Sequence, residues 1–262
     1  MKTLFSIIFL LSISTFAQAE TQIQEIKYTT GKAQLNGYLA YNDAIKEKRP
    51  GVLVVHEWWG HNEYARSRAR LLAELGYTAF AVDMYGDGKL AEHPLDASKF
   101  MQAAFNDFET TKARFEKAKE ILKSHKTVDS SRIASIGYCF GGAVSLRMAR
   151  GGSDLKGVIA FHSALPLEPK ITKGKMTASI LVVNGSADSF LKPETVAAFT
   201  SDLVQANSDF AYLSLAGIKH SYTNPKADEF SKKFNIPLKY DKKADERSWI
   251  EMQRFFDRIF AK

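Results

Sequence analysis

Five short, almost wholly apolar runs set the limits on what this chain can fold into: Val52-Leu53-Val54-Val55, Ala79-Phe80-Ala81-Val82, Ile133-Ala134-Ser135-Ile136, Val158-Ile159-Ala160-Phe161 and Ile180-Leu181-Val182-Val183. Runs this short, without polar alternation, mark strands covered on both faces, as in the interior of a parallel sheet. Between them lie stretches with helical character: Glu63 to Leu75 closed by Gly76, Ala97 to Ser124, Phe140 to Ala149 closed by Gly151-Gly152, and Pro193 to Ala206. Strand and helix alternate, so the expected architecture is α/β, a mostly parallel sheet with helices on both faces. Ahead of it, Ile23 to Tyr28 and Ala33 to Tyr41 alternate apolar and polar residues around Thr30-Gly31, which predicts an N-terminal antiparallel hairpin at a sheet edge. The last run, Ala244 to Phe260, sets Trp249, Met252, Phe255, Phe256 and Ile259 at helical spacing, a face for core packing rather than for a cofactor.

The N-terminus has Lys2, an apolar stretch from Leu4 to Ile13 and then Ala17-Gln18-Ala19, the order of a secretory signal peptide with cleavage before Glu20. Residues 1–19 are therefore expected to be removed, and 20–262 to form a single domain that is exported to a periplasm or the medium. No linker or repeat divides that remainder; the polar stretch from Asn224 to Arg247 is the nearest thing to a boundary. No later segment is apolar and long enough to predict a membrane span. The net charge of +7 comes from lysines and arginines scattered among acids, as in Asp43 followed by Lys46-Glu47-Lys48-Arg49, so a nucleic-acid partner is not expected. A monomer acting on a small molecule is.

The chain has one cysteine, so no internal disulfide is available and stability must come from the core. Cys139 lies in Gly137-Tyr138-Cys139-Phe140-Gly141-Gly142, directly after the apolar run ending at Ile136. A free cysteine is often only a small buried apolar side chain. Here, though, Gly-x-Cys-x-Gly between a strand and a helix has the form of the nucleophile elbow of α/β-hydrolases, with cysteine in place of serine. The order of partners in that fold is nucleophile, acid, histidine. Asp188 follows the strand ending at Val183, and His220 follows a strand over Phe210 to Leu215, so both fall at carboxyl ends of strands where open α/β sheets place ligands. The ordinary alternatives are a helix-capping carboxylate for Asp188 and a surface imidazole for His220. His162, after the strand ending at Phe161, is the rival base, but it precedes the acid.

The loop His56-Glu57-Trp58-Trp59-Gly60-His61 is not spaced as a zinc motif, because its histidines are five apart across a glycine-containing strand end, and no metal or cofactor is expected. It suits an oxyanion hole instead, with backbone amides from Trp58 and from Phe140, the residue after the nucleophile. Glu57 is then drawn close to Cys139, where it opposes ionisation of the thiol while accepting its hydrogen bond. A structural carboxylate bonded within its loop is the alternative. Trp59, Tyr85, His162 and Tyr222 are candidates for the pocket wall.

Taken together, His56-Glu57-Trp58-Trp59-Gly60, Asp83-Met84-Tyr85-Gly86, Gly137-Tyr138-Cys139-Phe140-Gly141-Gly142, Asp188 and His220-Ser221-Tyr222 resemble the dienelactone hydrolase family over essentially the whole mature chain. The resemblance implies an α/β-hydrolase fold, a Cys139-Asp188-His220 triad, and Glu57 as the carboxylate that keeps the resting cysteine neutral until substrate displaces it. Family members that bind the dienelactone carboxylate do so with arginines after the Tyr of Asp-x-Tyr and after the histidine. Here those places read Gly86-Asp87-Gly88 and Ser221-Tyr222-Thr223-Asn224. The expected activity is hydrolysis of a small ester, lactone or thioester through an acyl-cysteine. The competing readings are a non-catalytic ligand binder on the same fold and a thiol redox protein, the latter lacking a resolving cysteine.

Overall fold

A computed structural model describes residues 21–172 and 174–261; the expected signal segment, residues 1–19, lies outside the described residues. In chain order the elements are β1 (Thr21–Thr30), β2 (Ala33–Asn42), β3 (Arg49–Val55), α1 (Glu63–Glu74), β4 (Thr78–Val82), α2 (Pro94–Asn106), α3 (Phe108–Ser124), β5 (Val128–Tyr138), α4 (Phe140–Arg150), β6 (Gly157–Phe161), β7 (Ser179–Gly185), α5 (Pro193–Gln205), β8 (Phe210–Leu215), α6 (Ala227–Phe234) and α7 (Lys242–Phe260). The strands form one eight-stranded sheet in the order β1-β2-β4-β3-β5-β6-β7-β8. β1 and β2 form the predicted antiparallel hairpin, β2 joins β4 antiparallel, and every pair from β4 to β8 is parallel.

The apolar runs are interior strands for the reason their composition suggested. On β3, Leu53 and Val55 enter one core layer while Val52 and Val54 enter the other, so alternate side chains are buried on opposite faces. The first layer takes Phe115 and Leu122 of α3, Val144 and Met148 of α4, and Phe199 and Leu203 of α5. The second takes Ala69 and Leu72 of α1, and Met252, Phe255 and Phe256 of α7. Each large side chain so buried contributes about 1.5–3 kcal/mol.

The helix expected over Ala97 to Ser124 is two helices. Asp107, with φ −106° and ψ 77°, ends α2, and its carboxylate accepts from the Thr110 amide at 3.0 Å to start α3. The polar stretch beyond Asn224 is no boundary either. It contains α6, and Leu238 bridges back to His220. Among the described residues, no helix is long and apolar enough to cross a membrane.

Candidate active site

β5 runs into α4 at Cys139, which has φ 53° and ψ −115°, a strained backbone for a residue with a Cβ. The bend is possible because Gly137 and Gly141 lack side chains. A Cβ on Gly137 would lie 2.1 Å from the Gly141 carbonyl oxygen, and one on Gly141 would lie 2.2 Å from the carbonyl oxygen of Val55 on β3. Both clashes are with backbone, which has nowhere to move. Gly141→Ala is therefore expected to destabilise the protein by about 3 kcal/mol and to lower the melting temperature by roughly 10 °C, measurable by calorimetry. The same bend leaves the Phe140 amide as the first N–H of α4, which the helix cannot pair.

Asp188 and His220 arrive at this bend from the carboxyl ends of β7 and β8. His220 Nδ1 donates to Asp188 Oδ2 at 2.6 Å, and His220 and Cys139 line the same cavity. Burial works against the imidazolium, but the electrostatic influence of Cys139 and the bond to Asp188 outweigh it and push the pKa of His220 up to about 10. The three residues predicted as a triad thus line one cavity, with the imidazole bonded to the carboxylate.

The residues after His220 form a buried strap in which each side chain has a separate task. Ser221 Oγ donates to Glu57 Oε1 at 2.8 Å and Asn224 Nδ2 to Glu57 Oε2 at 2.5 Å. Tyr222 sends its hydroxyl to the Val183 carbonyl at 3.1 Å. Thr223 Oγ1 is bonded to Tyr64 at 2.5 Å and to His162 at 2.7 Å, and its carbonyl accepts from Arg68 of α1 at 2.5 Å. Glu57, drawn by sequence reasoning toward the thiol, has both carboxylate oxygens taken up by this strap. Burial raises its pKa above the ordinary carboxylate range, although Ser221, Asn224 and the nearby His220 and Arg68 lower it in part.

A cavity of about 230 Å³ opens over Cys139 and His220, walled by Trp58, Met101, Phe105, Phe140, Ser163, Ala164, Phe190, Leu191 and Leu238, with Asp188 at its edge. Among the described residues, no lysine or arginine lines it. A second cavity of about 420 Å³ shares Phe105, Ala164, Phe190 and Leu191 with the first and continues along α4 past Ala143 to Arg147 and Glu168. Trp58 is on the wall and its carbonyl is held by the Tyr85 hydroxyl at 3.0 Å, which fixes the loop that carries its amide.

The other pocket candidates are displaced from the wall. Trp59 meets Trp58 edge-on at 5.1 Å and packs on Phe230 and Phe234 of α6, with centroids at 4.5 and 5.9 Å. Tyr85 lies behind Trp58 against Phe100 and Phe140, Tyr222 is fully buried beneath the strap, and His162 is 0% exposed. Burial and the charges of His220 and Arg68 hold His162 well below the usual imidazole range. A neutral imidazole spent on Thr223 supports its neighbour instead of replacing it. Sequence reasoning missed the wall residues Met101, Phe105, Phe190, Leu191 and Leu238; the apolar pair Phe190-Leu191 in a loop directly after Asp188 was the available signal. Among the described residues, no group of histidines, cysteines and carboxylates is arranged to hold a metal ion.

Comparison with known proteins agrees with this architecture. Residues 35–260 match the model of the dienelactone hydrolase family. Protein usf of Aquifex pyrophilus is 27% identical over 210 residues, 79% of this chain and 89% of that protein. The crystal structure of a dienelactone hydrolase-like promiscuous phosphotriesterase from metagenomic libraries superposes with a TM-score of 0.86 at 33% identity, covering 92% of this chain and 99% of that one. A second solved structure, m3DLH, gives the same TM-score of 0.86 at 33% identity over 91% of this chain and 98% of its own. With the strand order, the elbow and these matches in agreement, the chain belongs to the dienelactone hydrolase family.

Proposed function

We propose that this hydrolase cleaves small, uncharged esters, lactones or thioesters through an acyl-cysteine intermediate. The observation that carries the reading is the convergence of Cys139, His220 and Asp188 at a strained elbow beneath a cavity that has no lysine or arginine among its described lining residues. The Cys139 sulfur attacks the carbonyl carbon, a C–S bond forms, and the carbonyl electron pair moves to oxygen, where the Trp58 and Phe140 amides stabilise it. The tetrahedral intermediate collapses, the bond to the leaving group breaks, and His220 donates its proton to that group. Water, deprotonated by His220, then attacks the acyl carbon and expels the sulfur, which restores the site. Asp188 keeps the imidazole oriented throughout.

An apolar wall favours aliphatic or aryl substrates, and the second cavity gives room for an arm longer than acetate. The lack of a lysine or arginine on the wall argues against a carboxylate-bearing lactone as the preferred substrate. Neutral phosphotriesters, the class named for the metagenomic relative, meet the same electrostatic requirement. The expected result is turnover of neutral p-nitrophenyl esters with a mass increase on Cys139 equal to the acyl group in quenched reactions. Tight binding of the same esters without product or adduct would instead favour the non-catalytic binder. Export belongs to the same proposal: the protein recovered from a secreting host should begin at Glu20 when its N-terminus is sequenced.

A further inference from the structure

Arg147 of α4 is a half-buried cation that the hydrolytic scheme leaves without a task. Two arginines close this helix, where the dipole favours positive charge, but they are partnered differently. Arg150 is committed to Asp202 at 2.5 Å and to the Leu167 and Pro169 carbonyls. Arg147 makes no ion pair among the described residues; its Nη1 donates to the Phe105 carbonyl at 3.2 Å, and its guanidinium lies over the rings of Phe105 and Phe108, 5.5 and 4.2 Å from their centroids. That one bond leaves its other N–H groups to water or to a ligand. Burial draws its pKa below the usual guanidinium range, and Glu168 opposes this in part.

This guanidinium stands on the groove of about 420 Å³ that is continuous with the cavity over Cys139 through Phe105, Ala164, Phe190 and Leu191. Cys139, Ala143 and Arg147 recur at helical spacing and share one face of α4, and the Ala143 amide donates to the Cys139 carbonyl at 3.3 Å, which carries the helix up to the elbow. From Cys139 to Arg147 is about 12 Å of helix, a gap that the arginine shortens because long helical side chains lean back toward the N-terminus. Between them Ala143 keeps the floor low, with Leu165 and Leu167 as apolar walls. Glu168 lines the same end, exposed and with Lys170 at 3.7 Å. Its charge offsets that of Arg147, so the far end offers N–H donors without a strong pull on anions.

We infer that this groove is an acyl subsite, selecting extended uncharged acyl arms that end in a neutral acceptor, such as the second carbonyl of a diester, which accepts from Arg147. The methylene chain lies along the apolar floor. A plain alkyl end is discriminated against, because covering the guanidinium with it would strip water from donors and return no bond. A carboxylate end meets Arg147 but also Glu168. The inference rests on the acyl-cysteine reading, which puts the acyl carbon on Cys139 at the head of the groove.

The test compares kcat/KM for three p-nitrophenyl esters of similar reach: the methyl suberate, the hydrogen suberate and the decanoate. Transfer from water alone favours the decanoate, the most apolar of them. The protein is expected to reverse that order and favour the methyl suberate over the decanoate by about tenfold, with the hydrogen suberate below the methyl ester. Arg147→Met keeps an apolar stem against Phe105 and Phe108 but has no donors, so the decanoate should become the better substrate. An arginine that only packs predicts the same order in both proteins. A decanoate preferred by the wild type, an order unchanged in the variant, or a carboxylate end preferred to the methyl ester overturns the inference. Should Arg147→Met fail to fold, Glu168→Gln at the exposed rim should raise the hydrogen suberate a few-fold relative to the methyl ester, and an unchanged ratio again overturns it. If none of the esters is turned over, the hydrolytic reading fails and the subsite is read by calorimetry with dimethyl suberate and methyl decanoate. Tighter binding of the diester that is lost in Arg147→Met upholds the subsite, and equal affinities overturn it.

Discussion

Replacing Cys139 with alanine is expected to lower ester turnover at least about a thousandfold, the usual scale for deleting a nucleophile, while leaving the melting temperature within a few degrees of wild type. The effect is large because the other polar side chains on the cavity are already engaged: Asp188 and His220 with each other at 2.6 Å, and the Ser163 hydroxyl with the Ala164 carbonyl at 2.7 Å. The stability cost is small because Cys139 is only partly buried at the cavity floor. Alanine at φ 53° bears the same backbone strain as cysteine, so the elbow itself is unaffected. Steady-state rates on p-nitrophenyl esters and a thermal melt of the same sample check both halves. Turnover retained within tenfold of wild type would remove Cys139 from the mechanism.

His220→Gln is the second large effect, with kcat expected to fall about 100-fold or more. Glutamine can fill the space and still reach Asp188, which the imidazole now meets at 2.6 Å, but it cannot relay a proton between thiol, leaving group and water. The loss should fall on kcat more than on KM, since the apolar wall that binds the substrate is untouched. A loss of only a few-fold would transfer the role to His162, whose ring centroid is 5.1 Å from that of His220.

The large-scale plan was readable because both faces of the sheet are covered. Strands β3 to β7 need apolar side chains on both sides, and such runs stand out in any sequence. The elbow was readable for a similar reason: Gly137 and Gly141 are demanded by backbone clashes that no other residue survives. The division between α2 and α3 was not readable, because Asp107 stops the helix by its own capping bond and neither glycine nor proline marks the place. Glu57 shows the hardest limit. Its partners Ser221 and Asn224 are 164 and 167 residues away in the chain, and which way a carboxylate turns among competing donors is decided only by packing. The aromatic pair Trp58-Trp59 failed as a guide to the cavity for the same reason. The two rings meet edge-on, yet only Trp58 reaches the cavity wall while Trp59 is covered by Phe230 of α6.

Arg68 ties the strap carrying the histidine to two helices at once, reaching the Thr223 carbonyl from α1 and Asp245 on α7. Those helices cover the same face of the sheet. Fraying of the strap by itself would strand a buried guanidinium, which is far costlier than breaking a surface contact. Its amide protons should therefore exchange with deuterium only when that whole helical layer comes away, and proteases should find no early cut there on warming. Heat would then extinguish activity and secondary structure in a single concerted transition, with no inactive but folded species preceding it.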